Sequence, residues 1–317
     1  MAACSSQEKF NVTSYDAMAF VIITLQTLAG TWINGFIVCV LCVSWVKKKV
    51  FNSNEKILLF LGSLRFGDLC ISWAYSFTSM IYPHCYYVYP IPQIFSSITR
   101  FLDSSNVWAS ASLCVFYCLK IANFQHTFFI YLKVKIDRIV PWLLFGSVLF
   151  ALIMGILGFD ITERTNFENF NSTESIILGT LSVGTGGNSF LMLSISVFIS
   201  TTAFMVAFFS TFLLLFSLWR HKCRMQANSM RNLNVDAHIK AIKSILFFIF
   251  LYSINFIGFI LILIDATKKK YLPLLFILLL QYGLPVVHSL VLIFSNTKLE
   301  KTLLRTLPCC KWKFHKV

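Results

Sequence analysis

Residues 139–159 read IVPWLLFGSVLFALIMGILGF and contain no charged side chain. An α-helix rises about 1.5 Å per residue, so roughly 20 apolar residues cross a hydrocarbon core about 30 Å thick. This stretch is therefore long enough to span a membrane. Comparable stretches occur along the whole chain, and the predicted spans lie near residues 17–46, 57–82, 94–120, 139–159, 189–219, 241–264 and 273–295.

The composition of the 317-residue chain agrees with a membrane protein, because 57% of the residues are hydrophobic and 13% are charged. A soluble domain carries about 25% charged residues. We predict an all-α membrane protein, a seven-transmembrane helix bundle that forms one domain over residues 1–317 with a tail at 296–317. The N-terminal residues are polar and lack the apolar segment of a cleavable signal peptide.

The distribution of Lys and Arg predicts the orientation, because basic loops are retained on the cytoplasmic side. Of the 27 basic residues, 20 lie after spans one, three and five or in the tail. We therefore expect an N-terminus outside and a short amphipathic C-terminal segment inside. Anionic lipid on the inner membrane face accounts for the net charge of +14 without any nucleic acid.

Two glycosylation sequons fall on the predicted outer side. One is Asn11-Val12-Thr13, and the other is Asn171-Ser172-Thr173 in the long loop between spans four and five. The transferase reaches only segments on that side, so we expect glycans at Asn171 and Asn11.

Enzymatic chemistry is not indicated by the sequence. Paired carboxylates and His or Cys clusters at ligand spacing are absent, so we expect no catalytic residue, no metal and no cofactor. A small-solute transporter remains an alternative, although seven spans without visible internal repeats disfavour it.

Ionisable residues inside a span are costly to bury and normally face the bundle interior. Arg65 and Asp68 lie three residues apart in span two, on one helix face where they can partly neutralise each other. A guanidinium has five donors to satisfy, and Asn34 and Ser289 are candidate partners. The set Asn34, Arg65 and Ser289 is either a buried polar cluster that holds the bundle or an interhelical switch between two packings.

Span three carries a polar stripe, because residues at intervals of three and four share one helix face. The stripe faces inward and either lines a pore or joins an outer ligand cavity to an inner coupling surface. Its members are Arg100, Asp103, Asn106, Ser110, Leu113, Tyr117 and Lys120.

Four sequence strings give the chain a family resemblance. They are FYCLKIANF at 116–124, LLFSLWRH at 214–221, DAHIKA at 236–241 and HSLVLIFSNTKL at 288–299. Together with Asn34 and Arg65 they resemble, in order and spacing, the signatures of type 2 taste receptors, the bitter taste receptors. Vomeronasal type 1 receptors are a related alternative.

The resemblance implies a multi-pass plasma-membrane receptor that binds bitter small molecules among its outer helix ends. It also implies activation of a gustducin-type or inhibitory-class heterotrimeric G protein. Basic side chains at helix ends extend to lipid headgroups whether or not a protein partner binds there. Lipid contact alone therefore also explains each basic residue expected at the coupling surface. The expected coupling residues are Tyr117, Lys120, Ser217, Leu218, His221, His238 and Lys240.

The expected ligand-contact positions depart from the family pattern. Thr99 and Asp103 stand where well-studied members have Trp and Asn, and Leu278 stands where many members have an acidic residue. The candidate ligand-binding residues are Thr99, Asp103, Asn106, Leu278 and Gln281.

Asp103 suggests a ligand chemistry. It lies 14 residues before Tyr117, about 21 Å along a helix and therefore near the outer mouth. An agonist ammonium would offset the cost of burying its carboxylate, although Arg100, one turn away, is a competing partner.

Overall fold

The computed structural model describes residues 14–49, 52–81, 90–122, 124, 126–169, 187–227, 246–247, 249–254, 256–258, 260 and 274–306. Helices account for nearly all of these residues, and the described part of the chain contains no strand. In chain order the helices are α1 (Ser14–Lys48), α2 (Ser53–Ile81), α3 (Ile91–Ile121), α4 (Thr127–Asn169), α5 (Gly187–Ala227), α6 (Ile249–Gly258), α7 (Leu274–Ser295) and α8 (Thr297–Thr306).

The predicted fold class is confirmed: each of the seven predicted spans overlaps one of the helices α1 to α7. Within the described residues, four stretches are long and apolar enough to cross a membrane, namely Ala17–Lys47, Ser53–Ile81, Thr127–Asp160 and Val197–Arg220. Helix α3 is outside this set because its polar stripe lowers its hydropathy.

Helix α4 extends well beyond the predicted span 139–159 at its N-terminal end. It begins at Thr127, and the extension carries Lys133, Lys135 and Arg138 beside apolar residues. A hydropathy profile detects only the apolar part of a helix that matches the bilayer thickness. The backbone hydrogen bonds of α4 continue into its basic N-terminal extension. Lys133 anchors the extension to α3, because its Nζ donates to the carbonyl of Ala122 at 2.9 Å.

Helix α3 lies at the centre and packs against α2, α4 and α5. Much of its circumference is buried, including Phe116 and Leu119 outside the polar stripe. The largest core cluster joins Leu113 to apolar side chains of α1 and α2, and Leu299 of α8 closes it. Lipid is as apolar as these side chains, so close van der Waals packing is what favours the assembled bundle.

Among the described glycines, Gly30 of α1 makes the closest approach to other helices, and it faces α2 and α7. A Cβ atom built on Gly30 would lie 2.5 Å from Leu69 Cδ1 and 2.8 Å from Val286 Cγ2. The carbonyl of Gly30 also accepts a 2.8 Å hydrogen bond from Asn34 Nδ2. Glycine at this position therefore permits the contact of three helices.

We expect Gly30→Ala to destabilise the protein by about 1–3 kcal/mol, a typical effect of overpacking a tight contact. Gly146→Ala in α4 is the matched control, because a Cβ there would meet nothing within 4 Å. Thermal unfolding of the purified proteins in detergent measures the difference. Equal melting temperatures for the two variants would contradict the close approach at Gly30.

Candidate functional site

Arg65 of α2 is buried in the middle of the bundle, with 4% of its surface exposed. Its guanidinium donates to Ser289 Oγ on α7 at 2.8 Å and to Ser110 Oγ on α3 at 3.4 Å. The ring nitrogen Nδ1 of His288 accepts a third hydrogen bond from Arg65 Nη2. One side chain thus connects three helices.

A chain of hydrogen bonds continues from Arg65 to α1. Ser289 Oγ accepts from Arg65 and donates to Asn34 Oδ1 at 2.8 Å, and Asn34 Nδ2 donates to the Gly30 carbonyl. All of these groups are buried. The structure therefore brings together the three residues that the sequence grouped as a cluster or switch, Asn34, Arg65 and Ser289.

Asp68 lies one turn from Arg65 on α2. Among the described residues, no salt bridge joins these two side chains. Its Oδ1 is buried and receives no hydrogen bond. The spacing of three residues keeps both side chains on one face of α2. Arg65 directs its hydrogen-bond donors to α3 and α7, and its partial neutralisation by Asp68 stays a prediction.

The candidate ligand residues of α3 lie nearer the outer end of that helix than Ser110, which contacts Arg65. Asp103 and Asn106 are partly buried on consecutive turns, and the buried Asn106 Oδ1 receives no hydrogen bond. Thr99 is also partly buried, one turn nearer the outer end. The side chains of Leu278 and Gln281 in α7 lie outside the described residues.

The inner end of α3 carries two of the expected coupling residues, Tyr117 and Lys120. Lys120 Nζ forms a 3.0 Å salt bridge with Asp137 Oδ2 of α4, and the two side chains are 46% and 54% exposed. Tyr117 packs beside Leu218 in a cluster that joins α3 to α5.

Ser217 and Leu218 at the inner end of α5 are buried. In this conformation they pack the bundle and do not form an open surface. The side chain of His221 lies outside the described residues, as do His238, Lys240, Asn11 and Asn171 in their entirety.

Comparisons with known proteins identify a family. The family model described as "Taste receptor protein (TAS2R)" matches residues 12–311. The chain is 31% identical over 303 residues to taste receptor type 2 member 9 of Papio hamadryas, covering 94% of this chain and 96% of that relative. It is 30% identical over 302 residues to the human member 9, with the same coverage. Member 8 of Gorilla gorilla gorilla is 32% identical over 305 residues, covering 93% of this chain and 97% of that protein.

The chain belongs to the type 2 taste receptor family. It is accordingly a seven-helix G-protein-coupled receptor of the bitter taste class and a multi-pass membrane protein, and it is not an enzyme. The family assignment leaves the vomeronasal and transporter alternatives without support.

The sequence did not reveal several partners in this type 2 taste receptor. His288 was visible in the HSLVLIF string beside Ser289, and that adjacency was the available signal for its contact with Arg65. Asp137 as the partner of Lys120 had no local signal. The same holds for Glu55, which binds Lys298 of α8 at 2.5 Å between Nζ and Oε1.

Helix α8 has its own capping device. The Oδ1 of Asn296 accepts from the backbone N–H of Lys298 at 3.0 Å, which satisfies a donor that the first turn of a helix leaves free. Together with the Glu55–Lys298 pair, this cap fixes the start of α8 against α2.

We expect Ser289→Ala to destabilise the receptor by about 1–3 kcal/mol, since Arg65 and Asn34 each lose a buried partner. Ser63→Ala is the matched control, because this serine of α2 is exposed. Melting temperatures of the purified variants test the expectation. A Ser289→Ala protein as stable as the control would show that the network does not hold the bundle.

Proposed function

We propose that this receptor sits in the plasma membrane, binds bitter small molecules among its outer helix ends and activates a gustducin-type or inhibitory-class G protein. The family assignment supports the receptor role, and the basic inner helix ends support an inner G-protein surface. Arg65 lies between the outer ligand region and the inner G-protein surface. This position is the main observation that supports the proposed mechanism.

A receptor of this kind needs an element with two packings that the ligand biases. A ligand that binds both packings equally shifts nothing, so it must contact groups whose arrangement differs between them. The network of Arg65 is suited to this role because it links α1, α2, α3 and α7 through side-chain hydrogen bonds. Small helix shifts exchange such bonds between discrete partners.

Tyr117 and Lys120 form the inner end of the same helix that contributes Ser110 to the network. A shift of α3 therefore moves Lys120 relative to Asp137, and release of this exposed pair costs little, about 0–1 kcal/mol. We infer that Lys120 is free to exchange Asp137 for an acceptor on the G protein. Ser217 and Leu218 would become accessible only when α5 separates from α3.

Lys120→Ala is expected to reduce agonist-driven signalling at unchanged surface expression, because it removes the donor at the end of the stripe. Calcium mobilisation in cells that carry a promiscuous G protein measures the response, with surface receptor quantified in the same cells.

Lys47→Ala is the control for lipid contact, since Lys47 is an exposed basic residue at the end of α1. Equal signalling by the Lys120→Ala receptor and the wild type at matched expression would remove Lys120 from the coupling surface and favour the headgroup interpretation.

The orientation is tested by glycosylation. Asn171→Gln is expected to remove a glycosidase-sensitive mass increment, because only a segment on the outer side meets the transferase. The double variant with Asn11→Gln identifies any glycan at the second sequon. An increment that persists in the double variant, or a tag beside Asn171 that antibodies reach only after permeabilisation, contradicts the outside assignment.

A further inference from the structure

A stripe of exposed side chains runs along α4 from its basic N-terminal extension into its apolar segment. Its members are spaced by three and four residues, so they share one face of the helix. They combine aromatic rings with two positive charges. This α4 stripe consists of Tyr131, Lys135, Arg138, Trp142 and Phe145, and all five side chains are exposed.

The α4 stripe crosses the boundary between charged and apolar sequence. Residues 139–159 contain no charged side chain, and Arg138 directly precedes them. Trp142 and Phe145 therefore lie at the level of the hydrocarbon. Lys135 lies seven residues before Trp142, about 10.5 Å along the helix, which places its ammonium at the level of the lipid headgroups.

The two basic residues of the α4 stripe are not neutralised by a carboxylate. Lys135 Nζ donates to the Tyr131 hydroxyl at 2.7 Å and lies 4.3 Å from the centre of the same ring. The one carboxylate of residues 127–138 belongs to Asp137, which forms its salt bridge with Lys120 of α3. No salt bridge among the described residues involves Lys135 or Arg138. Two positive charges one helical turn apart are thus available to a ligand.

Apolar side chains lie on both sides of these charges. Val134 is 78% exposed and Trp142 is 71% exposed, the two highest values among the large hydrophobic residues that the structure describes. They lie one turn before and one turn after Arg138. The rings of Trp142 and Phe145 meet edge to face, with 6.3 Å between their centres. An occupant of this face therefore has to combine negative charge with apolar groups.

We propose that Lys135 and Arg138 bind the phosphate headgroup of a phospholipid with net negative charge, whose acyl chain lies against Trp142 and Phe145. A guanidinium binds phosphate through two parallel hydrogen bonds, and an ammonium binds it as a point charge. A zwitterionic headgroup fits less well, because its ammonium would face two cations in a stripe that contains no carboxylate. A soluble protein partner cannot reach rings at the level of the hydrocarbon. The site depends on the membrane alone and on neither an agonist nor a G protein.

The lipid preference is measured on the purified full-length receptor in nanodiscs that contain phospholipids with brominated acyl chains. Bromine quenches the fluorescence of an indole that it contacts, and subtracting a Trp142→Phe variant isolates the signal of Trp142. Brominated phosphatidylglycerol is compared with brominated phosphatidylcholine at equal mole fraction. One basic residue near a membrane surface favours an anionic lipid about fivefold, so the pair is expected to give about a 25-fold preference at Trp142.

Two double variants distinguish a local site from general attraction by a basic receptor. Lys135→Ala with Arg138→Ala is expected to remove the preference at Trp142. Lys301→Ala with Arg305→Ala is the matched control, because it removes one exposed Lys and one exposed Arg from α8. This control is expected to retain the preference. Each double variant is measured with and without Trp142→Phe, so that the readout stays local to the α4 stripe.

Equal quenching of Trp142 by the two brominated lipids in the wild type overturns the site, and this comparison requires neither double variant to fold. A preference that falls equally in the two double variants also overturns it, because the preference then reflects the total charge of the receptor. Loss of the preference in the Lys135→Ala, Arg138→Ala receptor alone supports the site.

Discussion

A guanidinium buried among membrane-spanning helices has to find acceptors inside the protein, because hydrocarbon offers none. Arg65 finds them on α3 and α7, and Ser289 passes the network on to α1. Hydrogen bonds tolerate only a few tenths of an ångström, so these contacts fix the level of four helices relative to one another. The close approach at Gly30 and the cluster around Leu113 are both compatible with that register.

The seven-helix membrane fold was predictable from sequence because bilayer thickness sets a minimum length for an apolar helix. The grouping of Asn34, Arg65 and Ser289 was predictable because few polar residues inside spans were available to satisfy five donors. The pairings of Lys120 with Asp137 and of Lys298 with Glu55 were not predictable. They depend on which helices are neighbours, and hydropathy carries no information on neighbours.

Rotation of each helix about its axis was the other quantity that the sequence left open. In a soluble protein an apolar face points inward, but lipid accepts apolar side chains as readily as the interior does. Phe116 and Leu119 of α3 are buried, although polarity singled out a different stripe. Ser217 and Leu218 were expected at an open inner surface, but both are buried. The expectation came from a family signature, which identifies positions in the sequence and not their burial.

Polar side chains at successive turns of the helices lie between the outer region of the bundle and Arg65, and they are separated by short distances. Asp68 lies one turn, about 5 Å, outward from Arg65 on the same helix. Two unit charges about 10 Å apart interact by roughly 1.7 kcal/mol at an effective dielectric constant of 20. A change of one charge at the level of Asp103 alters a two-packing equilibrium at Arg65 only by the part of this energy that differs between the two packings, and the whole of it corresponds to more than tenfold. Thr99 and Leu278 remain predicted ligand contacts, and their departure from the family pattern leaves this electrostatic link between the level of Asp103 and Arg65 unchanged.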